Sequence, residues 1–127
     1  MSIAIITGSG GLIGAESVKF FSKKFDKIIG IDNDSRQYFF GKSASVKSNI
    51  NLLKKEIKNY SHQYIDIRNN KKIERIFINY KRNIRFILHY ASQPSHDWAA
   101  KEPFTDFTIN AEGTLNILEN MRKYSSG

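Results

Sequence analysis

Three glycines stand at intervals of three in the run Thr7-Gly8-Ser9-Gly10-Gly11-Leu12-Ile13-Gly14. The run follows a short apolar stretch, Ser2 to Thr7, and opens a segment with helical periodicity. In that setting each glycine has a distinct task. Gly8 permits a tight turn out of a strand, Gly11 lets the backbone approach a pyrophosphate, and Gly14 lets the helix pack closely on a sheet. The free N–H groups of Leu12, Ile13 and Gly14, at the positive end of the helix, then face phosphates. No Gly-Lys-Ser/Thr follows, so a Walker loop is excluded. The second chemical element is Asp32, followed by Asn33, at the end of the next apolar run, Lys27 to Asp32. A carboxylate there accepts hydrogen bonds from both hydroxyls of an adenosine ribose and repels a 2′-phosphate, which favours NAD over NADP as the cofactor. Arg36, close by, works against that discrimination.

Other chemistries find little support. The chain has no cysteine, and His62, His89 and His96 show no metal-ligand spacing, so no metal site is expected. His89, closing a strand, reads as a structural histidine. His96 falls in a polar loop, where it either helps to place a substrate or caps a neighbouring element, and Trp98 either packs on that loop or touches substrate. The net charge is +8, but Lys and Arg are spread over what read as solvent faces of helices. With no stacking motif or helix-turn-helix pattern, no nucleic-acid partner is expected. The N-terminal apolar run lacks a basic leader and is too short to span a bilayer, so we expect no membrane association and a cytoplasmic location.

The elements that must position these groups alternate between strand and helix. Ser2 to Thr7 reads as a strand buried on both faces. A helix is expected from Leu12 to about Phe25, with Ala15, Val18, Phe21 and Phe25 inward. The second strand is Lys27 to Asp32, and Asn33 to about Asn49 reads as a loop. A helix over Ile50 to Tyr60, a strand from His62 to Ile65, a helix from Asn70 to Tyr80 and a strand from Arg85 to Tyr90 follow. A long helix then runs from about Pro103 to Tyr124, with proline in its first turn. Thr114, Leu118 and Met121 fall on one face of it, as core or interface. The expected fold is α/β: a Rossmann-type parallel sheet, strand order 3-2-1-4, with helices on both faces.

With these features in place the chain resembles the extended short-chain dehydrogenases/reductases, the superfamily of nucleotide-sugar epimerases and dehydratases. Asp66-Ile67-Arg68 is similar to that family's D-[IL]-R element, in which the aspartate meets the adenine amino group. His89-Tyr90-Ala91-Ser92-Gln93 resembles its H-x-A-A-Q run beneath the nicotinamide ribose, with Ser92 where alanine is common. Asn110 to Asn116 resembles its N-x-x-G-T-x-N pattern. Gln93-Pro94-Ser95-His96-Asp97-Trp98-Ala99, with Asp32-Asn33 and Phe39-Phe40-Gly41, is similar to the CDP-paratose 2-epimerase (CDP-tyvelose epimerase) branch.

The resemblance implies an NAD-dependent inversion at carbon 2 of a CDP-linked sugar through a keto intermediate. It assigns Gly8, Gly11, Leu12, Ile13, Gly14, Asp32, Asn33, Asp66, Ile67, Ala91, Ser92, Gln93 and Asn110 to the cofactor, and Ser95 and His96 to a nucleotide-sugar substrate. The family's catalytic Tyr-x-x-x-Lys lies beyond the fourth helix, so no catalytic residue is assigned here. The one such spacing present, Tyr38 to Lys42, falls near the expected adenosine end and reads as coincidence. Residues 1–127 are therefore expected to form an incomplete NAD-binding domain, ending before the fifth strand, without the substrate domain and inactive alone. The fourth strand is then an open apolar edge. A homodimer through that edge or through the helix over 103–124 is one expectation, and a stand-alone NAD-binding or regulatory module is the alternative function.

Overall fold

The computed structural model describes residues 1–126; Gly127, counted in the expected domain, lies outside the described residues. Strands β1 (Ile3–Thr7), β2 (Lys27–Ile31), β3 (Tyr60–Gln63) and β4 (Ile84–His89) pair in parallel in the order β3-β2-β1-β4, as expected. Every residue of β1 is buried. Its unbroken apolar sequence is what a central strand between two helical layers requires.

One layer is made by α1 (Leu12–Phe21) and α3 (Lys47–Glu56). Ala15, Val18 and Leu53 pack there on Ala4, Ile6 and Ile28. The opposite layer is α4 (Asn70–Tyr80) and α7 (Gly113–Tyr124), which place Ile73, Phe77 and Ile117 on Ile3, Ile5 and Ile29. α4 has the expected bounds because both its signals are local. Asn69 caps it, the Oδ1 accepting from the Lys72 N–H at 3.2 Å, and Ile73, Ile76 and Phe77 form its buried stripe.

Elsewhere the tertiary setting moves the boundaries. α1 stops at Phe21, because Asn59 donates its side-chain amide to the Ser22 and Phe25 carbonyls and draws the chain into β2. Phe25, expected inside the helix, instead stacks on Phe86 of β4. The stretch expected as a loop after β2 contains α2 (Ser35–Phe40), a 3-10 turn (Lys42–Ala44) and the first turn of α3. Tyr60 continues the helical spacing of Ile50, Leu53 and Ile57, yet it pairs with Ile28 as the first residue of β3. The third strand therefore precedes its expected place by two residues. β4 starts one residue early and forms the sheet edge, with Phe86 exposed.

The polar loop after β4 holds α5 (His96–Lys101), and the long helix is continuous but not uniform. It begins as α6 (Pro103–Phe107), passes through a wide π turn (Thr108–Glu112), where the Gly113 N–H reaches the Thr108 carbonyl, and continues as α7. Its packed face is Ile109, Gly113, Ile117 and Asn120. Leu118 and Met121 are exposed, so the face of Thr114, Leu118 and Met121 is not core, which leaves its reading as an interface. Among the described residues no helix is long and apolar enough to cross a membrane.

Candidate functional site

The turn from β1 into α1 is shaped by contacts that leave no room for side chains. Gly8 has φ +69°, and its N–H donates to the Ile31 carbonyl at 2.7 Å, fastening the turn to the end of β2. A Cβ at Gly8 would lie 2.9 Å from the Ala91 nitrogen, and one at Gly14 only 2.0 Å from the Gly8 oxygen. Gly11 differs: its Cβ would meet only the Gly8 oxygen, at 3.3 Å. No side chain caps α1, so the first N–H groups of the helix, those of Leu12 and Ile13 among them, are left for a ligand. The side chains of Leu12 and Ile13 line a separate shallow depression with Phe20 and Phe21.

A cleft opens at the carboxyl ends of the strands, where the strand order reverses between β1 and β4. It brings together Gly8 and Gly11 from the turn, Asp32 and Asn33 after β2, Asp66 and Ile67 after β3, and Ala91 and Ser92 after β4. The Asp32 carboxylate accepts the Gly10 N–H at 3.0 Å and the Asp34 N–H at 2.8 Å. Burial nevertheless pushes its pKa above the ordinary aspartate value. Two of the four or so lone-pair positions of a carboxylate are used, leaving others for hydroxyl donors. Asp66 is gripped by Arg68, with Nη2 to Oδ2 at 2.6 Å. Burial alone would raise its pKa, but the Arg68 hydrogen bonds and charge outweigh that and hold it below the usual value.

The sequence reading missed part of this wall. Ser35 and Phe39 of α2, Val46 before α3, Ile65 after β3, Tyr90 and Pro94 after β4, and Ile109 also line the cleft. Arg36 lines it too, with its guanidinium 5.0 Å above the Phe40 ring. The available signal was the aromatic run Tyr38-Phe39-Phe40 beside Arg36, of which Phe39 is the buried member.

Behind the cleft, the loop after β4 is braced by side chains. The Thr7 hydroxyl oxygen accepts the Tyr90 and Ala91 N–H groups at 3.0 and 3.1 Å, so its proton goes to His89 Nδ1 at 2.7 Å. His89 Nε2 donates to Thr114 at 3.0 Å, and Thr114 donates to the Asn110 carbonyl at 2.7 Å. Burial lowers the pKa of His89, and both its nitrogens are engaged structurally. Gln93 is buried, its amide donating to Asp106 at 2.8 Å and to the Ser95 carbonyl at 3.0 Å. Its backbone N–H donates to Asn110 Oδ1 at 2.8 Å, and Asn110 Nδ2 donates back to its carbonyl at 3.1 Å. Gln93 and Asn110 thus hold the loop to the π turn and do not line the cleft.

The two expected substrate residues also stand outside it. Ser95 caps α5, accepting the Trp98 N–H at 3.3 Å, and His96 is exposed on its first turn. Trp98 packs on Tyr38 and Phe39 and donates its indole N–H to the Phe39 carbonyl at 2.7 Å. Tyr38 donates to Glu102 at 3.1 Å, a bond that raises its pKa, so it is no candidate base. Among the described residues no group of side chains is arranged to hold a metal ion.

A parallel sheet in this order, with a glycine turn between β1 and α1 and carboxylates beyond β2 and β3, is a Rossmann-type nucleotide-binding unit. Within that class the chain belongs to the family described as GDP-mannose 4,6 dehydratase, whose family model matches residues 5–127. It is 31% identical over 122 residues to the CDP-paratose 2-epimerase of Salmonella typhi, covering 96% of this chain and 33% of that protein. It is 30% identical over 125 residues to the UDP-glucuronate 4-epimerase of Thermodesulfobacterium geofontis, covering 98% of this chain and 36% of that one. Among solved structures, the UDP-glucose 4-epimerase of Thermotoga maritima with UDP-glucose superposes with a TM-score of 0.75 at 26% identity, covering 96% of this chain and 34% of that chain. The chain spans about a third of the length of the curated relatives it matches.

Proposed function

We propose that this chain is the NAD-binding portion of a nucleotide-sugar epimerase and has no turnover by itself. The observation that carries the proposal is the meeting of an uncapped helix N-terminus, an unobstructed Gly11 and a half-buried Asp32 around one cleft. The residues fit a dinucleotide. Gly11 and the first N–H groups of α1 hold the pyrophosphate. Asp32 takes the ribose hydroxyls and, with Asn33, sets the adenosine end. Asp66 and Ile67 receive the adenine, while Ala91 and Ser92 carry the nicotinamide end. Gln93 and Asn110 act one step removed, by fixing the loop that bears Ala91 and Ser92. NAD, when bound, supplies reversible hydride acceptance.

For the substrate, the likeness to a CDP-paratose 2-epimerase and the run Gln93 to Ala99 support a CDP-linked sugar inverted at carbon 2. Ser95 and His96, neither of which lines the cleft, would meet it from the start of α5. The exposed Leu115, Leu118 and Met121 on α7 support a homodimer through that helix. The cytoplasmic location expected from the sequence belongs to the same proposal.

Calorimetric titration with NAD and NADP tests it. The chain is expected to prefer NAD, and Asp32→Ala to weaken NAD binding about tenfold or more through loss of two charge-assisted hydrogen bonds. A folded chain that takes up no NAD overturns the cofactor assignment. Turnover of CDP-paratose by the chain alone overturns its inactivity.

A further inference from the structure

Tyr60 and His62 stand two residues apart on β3, hence on one face of the sheet. The Tyr60 ring crosses Gly30 of β2, where a Cβ would lie 2.2 Å from the phenol oxygen and 2.4 Å from Cε2. That vacant position lets the hydroxyl reach Ser9 in the glycine turn, at 2.9 Å. The same hydroxyl is 2.6 Å from His62 Nδ1, and His62 Nε2 is 3.0 Å from the Asp32 main-chain oxygen. Asp32 Oδ2 in turn accepts the N–H of Gly10, the residue after Ser9. The hydrogen bonds therefore close a ring between the phosphate side and the ribose side of the cleft.

Chemistry fixes the direction of every proton in the ring. A carbonyl only accepts, so Nε2 carries the proton and Nδ1 is an acceptor. Tyr60 then donates to Nδ1, and its oxygen accepts from Ser9. A second proton on His62 would set an N–H against the Tyr60 O–H. The phenol would have to turn and donate to Ser9, whose own proton would be stranded in a fully buried site.

We propose that Tyr60 and His62 are positioning residues for the dinucleotide. The ring through Ser9, Tyr60, His62, Asp32 and Gly10 locks the glycine turn and the ribose carboxylate at one separation, and protonation of His62 releases it. The inference rests on the NAD-binding function proposed above. The charged and titratable groups facing His62 are the Asp32 carboxylate, Lys54 of α3, and the phenols of Tyr60 and Tyr64. Burial, aided by Lys54, holds the imidazole below its ordinary pKa against the pull of Asp32. Burial pushes Tyr60 up to about 12, so it remains a donor at every working pH.

The test is calorimetric titration of NAD into the 127-residue chain between about pH 5 and pH 8, with NMR of the His62 imidazole in the free protein. Wild-type affinity is expected to be flat near neutrality and to fall on the acid side as His62 protonates. Tyr60→Phe should weaken binding about fivefold at neutral pH and raise the His62 pKa, since the donor to Nδ1 is gone. His62→Gln is the conservative rescue: its amide N–H donates to Asp32 and its oxygen accepts from Tyr60, but it does not titrate. It should bind far better than His62→Leu and lose most of the acid fall, leaving only the part that belongs to Asp32 and to His89 behind the loop after β4. A Tyr60→Phe chain with unchanged affinity and pH profile overturns the lock, as does an acid fall in His62→Gln equal to that of wild type. An imidazole found with its proton on Nδ1 overturns it without reference to NAD. A folded wild-type chain that does not bind NAD overturns the underlying function, and this inference with it.

Discussion

Gly14→Ala and Gly11→Ala should separate the structural and binding duties of one motif. At Gly14 the new methyl would lie 2.0 Å from the Gly8 oxygen, 2.7 Å from its carbonyl carbon and 2.9 Å from the Ser9 Cα. All three are backbone atoms, so relief requires the turn and α1 to part by on the order of 1 Å. That sits at the severe end of overpacking, about 3 kcal/mol. Alanine returns ~1 kcal/mol through its better helix propensity, leaving a net loss of about 2 kcal/mol. For a chain of this size that lowers Tm by about 8 °C. At Gly11 the backbone has φ −70° and ψ 174°, which alanine adopts freely, and the methyl meets nothing closer than 3.3 Å. The poorer N-cap costs about 0.5 kcal/mol, or ~2 °C, but the methyl would occupy the place proposed for the pyrophosphate. Thermal melting by circular dichroism and NAD titration of both variants decide the matter. Gly14→Ala should melt well below Gly11→Ala, while Gly11→Ala should bind NAD at least about tenfold more weakly than wild type. Equal melting temperatures, or an undiminished affinity in Gly11→Ala, would refute the division of labour.

Two further perturbations address the bracing behind the cleft. His89 is held neutral by burial, below its ordinary value of 6.5. The unfolded chain therefore binds more protons just below that pH, and stability is lost as pH falls from about 7 toward 5. His89→Gln keeps one donor and one acceptor for Thr114 and Thr7, so its melting temperature should fall less over the same range; an identical fall would remove His89 as a cause. Asn110→Ala strands the N–H and carbonyl of Gln93, bonded at 2.8 and 3.1 Å. The expected loss is about 2 kcal/mol by urea denaturation, with faster exchange of the Gln93 amide; a loss below about 0.5 kcal/mol would show that the pair does not hold the loop.

What the sequence revealed follows from where the determining forces act. β1 and α4 were legible because burial on both faces, a cap and a buried stripe are written locally. The glycine turn and Asp32 were legible because their spacing is tied to a ligand of fixed size. α2 and α5 were not, being six residues each, too short to show a period. They are held by distant partners, Trp98 on the Phe39 carbonyl above all. Tyr60 fitted a helical stripe by spacing, and only pairing with β2 places it on a strand. Gln93 and Asn110 were assigned to the cofactor through the family's motifs. That the Asn110 side chain holds the Gln93 backbone depends on a contact between the loop after β4 and the π turn, which no local pattern encodes.

The bond from Trp98 to the Phe39 carbonyl joins residues 59 positions apart, and it bears on the order in which the molecule assembles. The segment over α2 is tied down locally by Asp34, which accepts from Ser45 at 2.6 Å and from the Val46 N–H at 2.8 Å. Its outer side is held by Trp98 of α5 and by Tyr38 donating to Glu102 just beyond that helix. Contacts of long sequence separation carry the largest loop-closure cost and form late. During synthesis from the N-terminus, β1, β2 and β3 emerge before the residues that secure this wall. The α2 wall of the cleft is thus encoded early in the chain but becomes rigid only once β4 has docked and α5 has folded against it.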